Sequence, residues 1–358
     1  MSFYSILNQP AATVAQVMSA LARGNSRRVV AAIAAGMLFA PQAISAAEIK
    51  IASFPGPKHP VNARMLSSWV DKVNATSSGL TAKLFVAGKL GKGPAKQFKR
   101  ALDGVADVSF GLQGYTSKQF RATTLIELAN VMSSAQDGTN RLNAAFEQSA
   151  AVRKEYDKVK VLAIWTIDTP IIMTKNKPIK SVADLKGLKL RTPSQMSARA
   201  IRALGAVPVP MPITKLYNAL ARGTVDGVLV SPTVLHTFKI KEVTRYFADG
   251  IPFGSSPMFV VMNKKTWNKL SPAHKDIVNK TVGKRWGNVG GKIYDTEHAK
   301  GMAFLAGSKS HNLIRLPDAE VRKASGLLNQ LEKGVVQQWE KQGIPATEIL
   351  KIMRAAGA

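Results

Sequence analysis

Among the residues able to do chemistry, one arginine stands out. Arg191 closes a short apolar stretch, LKGLKLRTP, in which Leu188, Leu190 and Pro193 surround it. The stretch reads as a strand. After it, Ser197 to Leu204 has helical spacing and stops at Gly205. A guanidinium at a strand end beside a helix start can hold a planar anion by two parallel hydrogen bonds. An arginine paired with a surface carboxylate has the same residue types around it, so the segment alone leaves both open. Other chemistry is poorly provided for. There is no cysteine, which excludes disulfides, thiol nucleophiles and thiolate metal sites. The five histidines (His59, His236, His274, His298, His311) stand singly, with no pair at metal-ligand spacing, and the tracts around His59 and His236 read as loop and core. No G-x-S-x-G elbow or dinucleotide glycine fingerprint occurs. In AGKLGKGPAKQ, Gly88 and Gly93 have Walker spacing, but Pro94 stands where the essential lysine must be, so the segment fails as a nucleotide loop. No metal and no cofactor are expected, and the chain reads as a binder rather than an enzyme.

Arg191 is positioned by a unit that occurs twice. After the helix, VPVPMP must run extended, because each proline disfavours a helical residue before it. Ile213, Leu216, Tyr217 and Leu220 then form a helical stripe closed by Gly223, and Thr224 to Val230 is a buried strand. Upstream, Ala95 to Asp103 is helical, Gly104 stops it, and Ala106 to Gly111 is a strand. Gly104-Val105-Ala106-Asp107 thus mirrors Gly223-Thr224-Val225-Asp226, about 120 residues apart. Two similar α/β lobes follow, each presenting the C-terminal ends of its strands to a shared cleft. Further strands are expected at Ala47–Phe54, Leu80–Val86, Lys160–Ile164, Ile171–Thr174, Pro257–Asn263 and near Leu313–Leu316. Helices are expected at Asn62–Asn74, Leu125–Met132, Leu142–Tyr156, Val282–Ser308 and Asp318–Gln342.

Three motifs in order, LKGLKLRTP, ALGAVPVPMP and YNALARGTVDG, resemble the TRAP-transporter solute-binding (DctP-type) family. The likeness runs from about residue 48 to the 270s, where MNKKTWNKLSPAHKDIV also matches, and more loosely to the C-terminus. It implies a periplasmic-binding-protein-like (type II) α/β fold of two lobes with a hinge and a central ligand cleft. Lobe I would comprise 48–168 plus 255–300; 169–254 plus 301–358 would form lobe II and the C-terminal helices. The family's carboxylate-binding arginine falls on Arg191. GLQGYTSKQF resembles the family's cleft loop and brings in Gly114 and Tyr115, while Phe54 ends the first strand. Ile213, Val230 and Ser231 stand where relatives place cleft residues, two of them an aromatic and an asparagine. Many relatives carry a second arginine upstream of the first; here that place falls at Pro170-Ile171, and no arginine lies between Lys154 and Arg191. The resemblance therefore implies a small organic monocarboxylate with an apolar or weakly polar body. Its partners would be the membrane subunits of a TRAP transporter, with another transporter or a sensor system as the alternative, and the protein a monomer.

The net charge of +28 raises a further alternative, a polyanion-binding surface protein. No run of five basic residues exists, aromatics are 7%, and none interleave with the lysines for base stacking, so no nucleic-acid partner is expected. Residues 1–47 carry Arg23, Arg27 and Arg28 and no acid. Val29 to Ala40 is an apolar run too short to span a bilayer, and Ser45-Ala46-Ala47 offers small residues for cleavage. This reads as a signal peptide for ordinary secretion, with only a partial twin-arginine pattern at Ser26-Arg27-Arg28, and places the mature protein in the periplasm.

Overall fold

The computed structural model describes residues 47–357, so the expected leader, apart from Ala47, lies outside the described residues. In β1 (Ala47–Ala52), alternation buries Ile49 and Ile51 and leaves Lys50 exposed. β1 pairs in parallel with β2 (Leu80–Phe85), which follows helix α1 (Ser67–Asn74), and with β3 (Val108–Leu112). Next to β3 runs the antiparallel return strand β10 (Pro257–Asn263), then β4 (Val159–Thr166), giving the order β2-β1-β3-β10-β4. The second sheet contains β5 (Ile171–Thr174), β6 (Lys189–Thr192), β7 (Val207–Pro210), β8 (Gly227–Val230), β9 (Tyr246–Asp249) and β11 (Asn312–Arg315). Its order is β11-β9-β5-β8-β6-β7. β7, β6 and β8 are parallel and β5 runs against them, so the second sheet repeats the arrangement of the first.

The internal repeat has a physical cause in each copy. Helix α2 (Gln97–Asp103) ends at Gly104, at φ 73°, and the stripe Leu216–Ala221 is followed by Gly223, at φ 71°, conformations that cost glycine little. Three residues on, an aspartate reaches the neighbouring parallel strand. Asp107 accepts from the Lys50 N–H (2.9 Å), and Asp226 accepts from the Lys189 N–H (2.8 Å). Each carboxylate thus sets the same register between two neighbouring parallel strands of its lobe, β1 and β3 in the first and β6 and β8 in the second.

Between the two units the chain departs from expectation. The apolar run from Leu125 to Met132 forms no α-helix: a single tight turn, Thr123–Glu127, is followed by bends and a turn through Asn130 (φ 59°), with Leu125, Ile126, Leu128 and Val131 all buried. The next helix, expected from Leu142, begins seven residues earlier, as α3 (Ala135–Gln148), because the Ser134 side chain accepts from the Asp137 N–H (3.1 Å) and caps it. Ser149 then breaks the expected continuous helix, leaving a separate short turn at Ala150–Lys154. β9 was not foreseen as a strand. Residues 301–358, expected with 169–254 to form lobe II and the C-terminal helices, pack against both lobes. After the long helix α4 (Lys284–Gly307) comes α5 (Asp318–Glu340), whose Ala324 and Leu328 pack with Leu190 and Leu229 of the second lobe. Its Val335 and Trp339 pack with Phe98 and Phe259 of the first, as do Ile349 and Met353 of α6 (Ala346–Ala355).

On the open edge of the second sheet, β7 reads Val-Pro-Val-Pro. Val207 donates to the Leu188 carbonyl (2.8 Å), while Pro208 and Pro210 take the alternate positions, whose N–H would face away from the sheet.

Candidate functional site

Arg191 is the third residue of β6, opposite Val228 of β8, at the C-terminal edge of the second sheet. It is 1% exposed. Its Nε donates to the Met211 carbonyl (2.8 Å) and its Nη2 to the Tyr115 hydroxyl (3.4 Å), which also accepts from the Ile213 N–H (3.0 Å). Tyr115 belongs to the turn after β3, so the two lobes meet at this contact. Burial lowers the guanidinium pKa from its usual value, and Tyr115 opposes that shift. Among the described residues no carboxylate forms an ion pair with it.

The guanidinium opens on a cavity of about 60 Å³ between the lobes. One water needs roughly 10–15 Å³ on that measure, so there is room for several waters or for one small acid in their place. Phe54, Tyr115, Ile213, Val230 and Ser231 line it together with Arg191, as do Pro170 and Met258. Gly114 does not. A Cβ built there would stand 2.7 Å from the Ser194 Cβ, so the residue serves the close approach of the lobes rather than the cavity wall. Beside it, the Ser117 hydroxyl accepts from the Gln195 N–H (3.3 Å).

Three polar groups in or beside the site were not assigned to it from the sequence. Glu127 ends the turn that was expected to be helix and is 5% exposed. One of its oxygens accepts from the Ser194 hydroxyl across the lobes, and the other, Oε1, has no protein partner. Burial pushes this carboxyl up to about 7, against the pull of the bonds from Ser194 and Ser197. His59, read as a loop residue, lines the cavity and is held among Phe238 (ring centroids 5.9 Å), Phe110 (6.3 Å) and Tyr294 (6.5 Å). Burial lowers its pKa to about 4, so the ring is neutral at pH 7. Asp168 lies in the crossover from β4 to β5 and is buried. It accepts from the hydroxyls of Ser231 and Thr233 (3.1 Å for the latter), its carbonyl accepts from Ser255 of the return crossover (2.6 Å), and its Oδ2 pairs with His298 Nδ1 of α4 (2.7 Å). That hydrogen bond raises the His298 pKa. Ser231 therefore ties the second lobe to the crossover as well as facing the cavity.

Residues 51–342 match the family model described as bacterial extracellular solute-binding protein, family 7 (DctP). Three solved structures resemble most of the chain. A TRAP solute-binding protein from Rhodoferax ferrireducens, solved with co-purified benzoate, is 28% identical at a TM-score of 0.81, covering 87% of this chain and 97% of that one. A marine metagenome TRAP protein described as specific for aromatic acids, with 3-hydroxybenzoate, is 27% identical at 0.82, covering 87% and 98%. A TRAP protein from Bordetella bronchiseptica with bound mandelate is 26% identical at 0.80, covering 87% and 98%. With its two matching lobes and a cleft at their strand ends, the chain is a two-lobed, type II-like α/β protein and not an enzyme: it belongs to the DctP family of TRAP solute-binding proteins.

Proposed function

We propose that this protein captures a small monocarboxylate with an aromatic or similarly apolar body in the periplasm and delivers it, as a monomer, to the membrane subunits of a TRAP transporter. The observation that carries this reading is Arg191. A fully buried guanidinium without an internal counter-ion is costly, and a ligand carboxylate meets that charge with paired hydrogen bonds. Nε and one N–H of Nη2 are engaged by Met211 and Tyr115, which holds the fork in place and directs its remaining donors at the ligand. Among the described residues no second cation lines the cavity: Pro170 stands where many relatives carry a second arginine, and the side chains of Ile213 and Val230 offer no hydrogen bonds. The three similar structures were solved with aromatic monocarboxylates, which supports the same ligand class here. Tyr115 on Arg191, Glu127 on Ser194 and Ser117 on Gln195 join the lobes, so closure removes water from the carboxylate and presents a distinct surface to the membrane partner. Asp168, Ser231 and Ser255 sit where the chain passes between lobes and act as the hinge.

A thermal-shift panel tests the reading. Benzoate, 3-hydroxybenzoate or mandelate should raise the melting temperature, and succinate or sialic acid should leave it unchanged. Stabilisation by succinate or sialic acid alone would contradict it.

A further inference from the structure

One polar side chain in the cavity has no role in holding the carboxylate. His59 is fixed by its backbone, whose N–H donates to the Gly56 carbonyl (3.1 Å) and whose carbonyl accepts from the Ala63 N–H (3.0 Å). Any residue could make those two bonds, so they do not account for an imidazole. The ring is 93% buried among Phe110, Phe238 and Tyr294, and its Nδ1 is enclosed without a hydrogen-bond partner. Buried polar atoms are nearly always satisfied, and a phenylalanine would fill this aromatic cage without leaving one orphaned. Among the described residues neither ring nitrogen bonds to another group of the protein, Nδ1 is enclosed, and His59 lines the cavity, so the cavity-facing edge of the ring is the one that can meet a ligand.

The surroundings say what kind of group. The nearest charges, Arg64 and Glu297, are paired with each other at 2.7 Å, and burial keeps the imidazole neutral. A second carboxylate placed there would be buried without a counter-charge. A hydroxyl both donates and accepts, so it suits a neutral imidazole whichever nitrogen bears the proton. Aromatic rings connect this point to the carboxylate end: Tyr115 lies against Phe54 (6.4 Å), Phe54 against Phe110 (5.5 Å), and Phe110 against His59 (6.3 Å).

We infer that His59 is the second polar contact of the site and that the ligand is a hydroxylated aryl carboxylate, its carboxylate on Arg191, its ring over Phe54 and its hydroxyl on His59. This rests on the assignment of Arg191 as the carboxylate site, and the experiment separates the two. Calorimetric titration of the mature protein with benzoate, 3-hydroxybenzoate and 4-hydroxybenzoate should give one hydroxylated acid an affinity roughly tenfold or more above benzoate. His59→Phe should erase that preference while keeping benzoate binding, and His59→Gln, which retains a donor and an acceptor, should restore part of it. Equal binding of all three acids by the wild type, or a preference that survives in His59→Phe, overturns the role of His59 and leaves Arg191 standing. Failure of the wild type to bind any of the three overturns both.

Discussion

Replacing Arg191 with methionine separates binding from folding. Methionine roughly fills the volume of the arginine stem and removes the charge. In the ligand-free protein two opposing effects follow. A buried guanidinium without a counter-ion is destabilising by several kcal/mol in principle. Its bonds to Met211 and Tyr115 are worth about 1 kcal/mol each. The variant should therefore melt within a few degrees of the wild type, or above it. Binding should change far more. Truncating one partner of a desolvated charge pair costs about 2–5 kcal/mol, or roughly 30- to 5,000-fold in Kd. At a ligand concentration 100 times the wild-type Kd, the wild type gains about 2.7 kcal/mol, a rise of roughly 5–10 °C. The same concentration should stabilise Arg191→Met by less than about 1 kcal/mol, or roughly 2–3 °C. The assay is scanning fluorimetry with and without 3-hydroxybenzoate. An undiminished shift in the variant removes Arg191 from the site, and a collapse of the ligand-free melting temperature makes the guanidinium structural instead.

Three further outcomes are expected. Gly114→Ala places a methyl 2.7 Å from the Ser194 Cβ, so it should hold the lobes apart and weaken ligand binding about tenfold or more while the ligand-free melt barely moves; unchanged affinity would show that closure tolerates the group. Glu127 is raised from 4.5 to about 7, so the folded state holds its proton longer than the unfolded chain, and its contribution is present at low pH and lost as pH rises through that window, by about 3 kcal/mol. Glu155 has the same raised value, so Glu127→Gln should reduce, not abolish, the fall in denaturant-measured stability between pH 5 and 7; an unaltered slope would contradict the assignment. His298, raised by Asp168, contributes stability that is complete below its unfolded pKa and fades as pH climbs past the raised one. His298→Phe should thus lose more stability at pH 6 than at pH 9, and an equal loss at both would mean that the pair is not charged.

Much of the frame was legible because local signals agreed with it. Gly104 and Gly223 marked the helix stops, the aspartates three residues on marked the repeat, and strands Ile171–Thr174 and Pro257–Asn263 were bounded correctly because buried apolar runs bracketed by polar residues leave little choice. Leu125–Met132 was misread because its apolar residues are buried by packing from several elements, which imitates a helical stripe without the hydrogen bonds. Six of the seven cleft residues inferred from family resemblance line one cavity; Gly114 instead borders it at the meeting of the lobes. Glu127 and the Asp168–His298 pair could not be read beforehand, and His59 was read as a loop residue. Their surroundings come from partners far away in the chain, 67 residues for Glu127 with Ser194 and 130 for Asp168 with His298, and nothing local records such distances.

The proline-bearing margin of the second sheet has a consequence for life at high concentration. A bare strand rim is a template on which a neighbouring molecule can add its own backbone, and fibrils grow from such surfaces. Pro208 and Pro210 strip that rim of its outward donors while leaving the inward bonding of Val207 intact. A carrier that must be abundant enough to meet its cargo can thus crowd against its own copies without being zipped to them, and returning ordinary residues to those two positions should shorten the lag before aggregation.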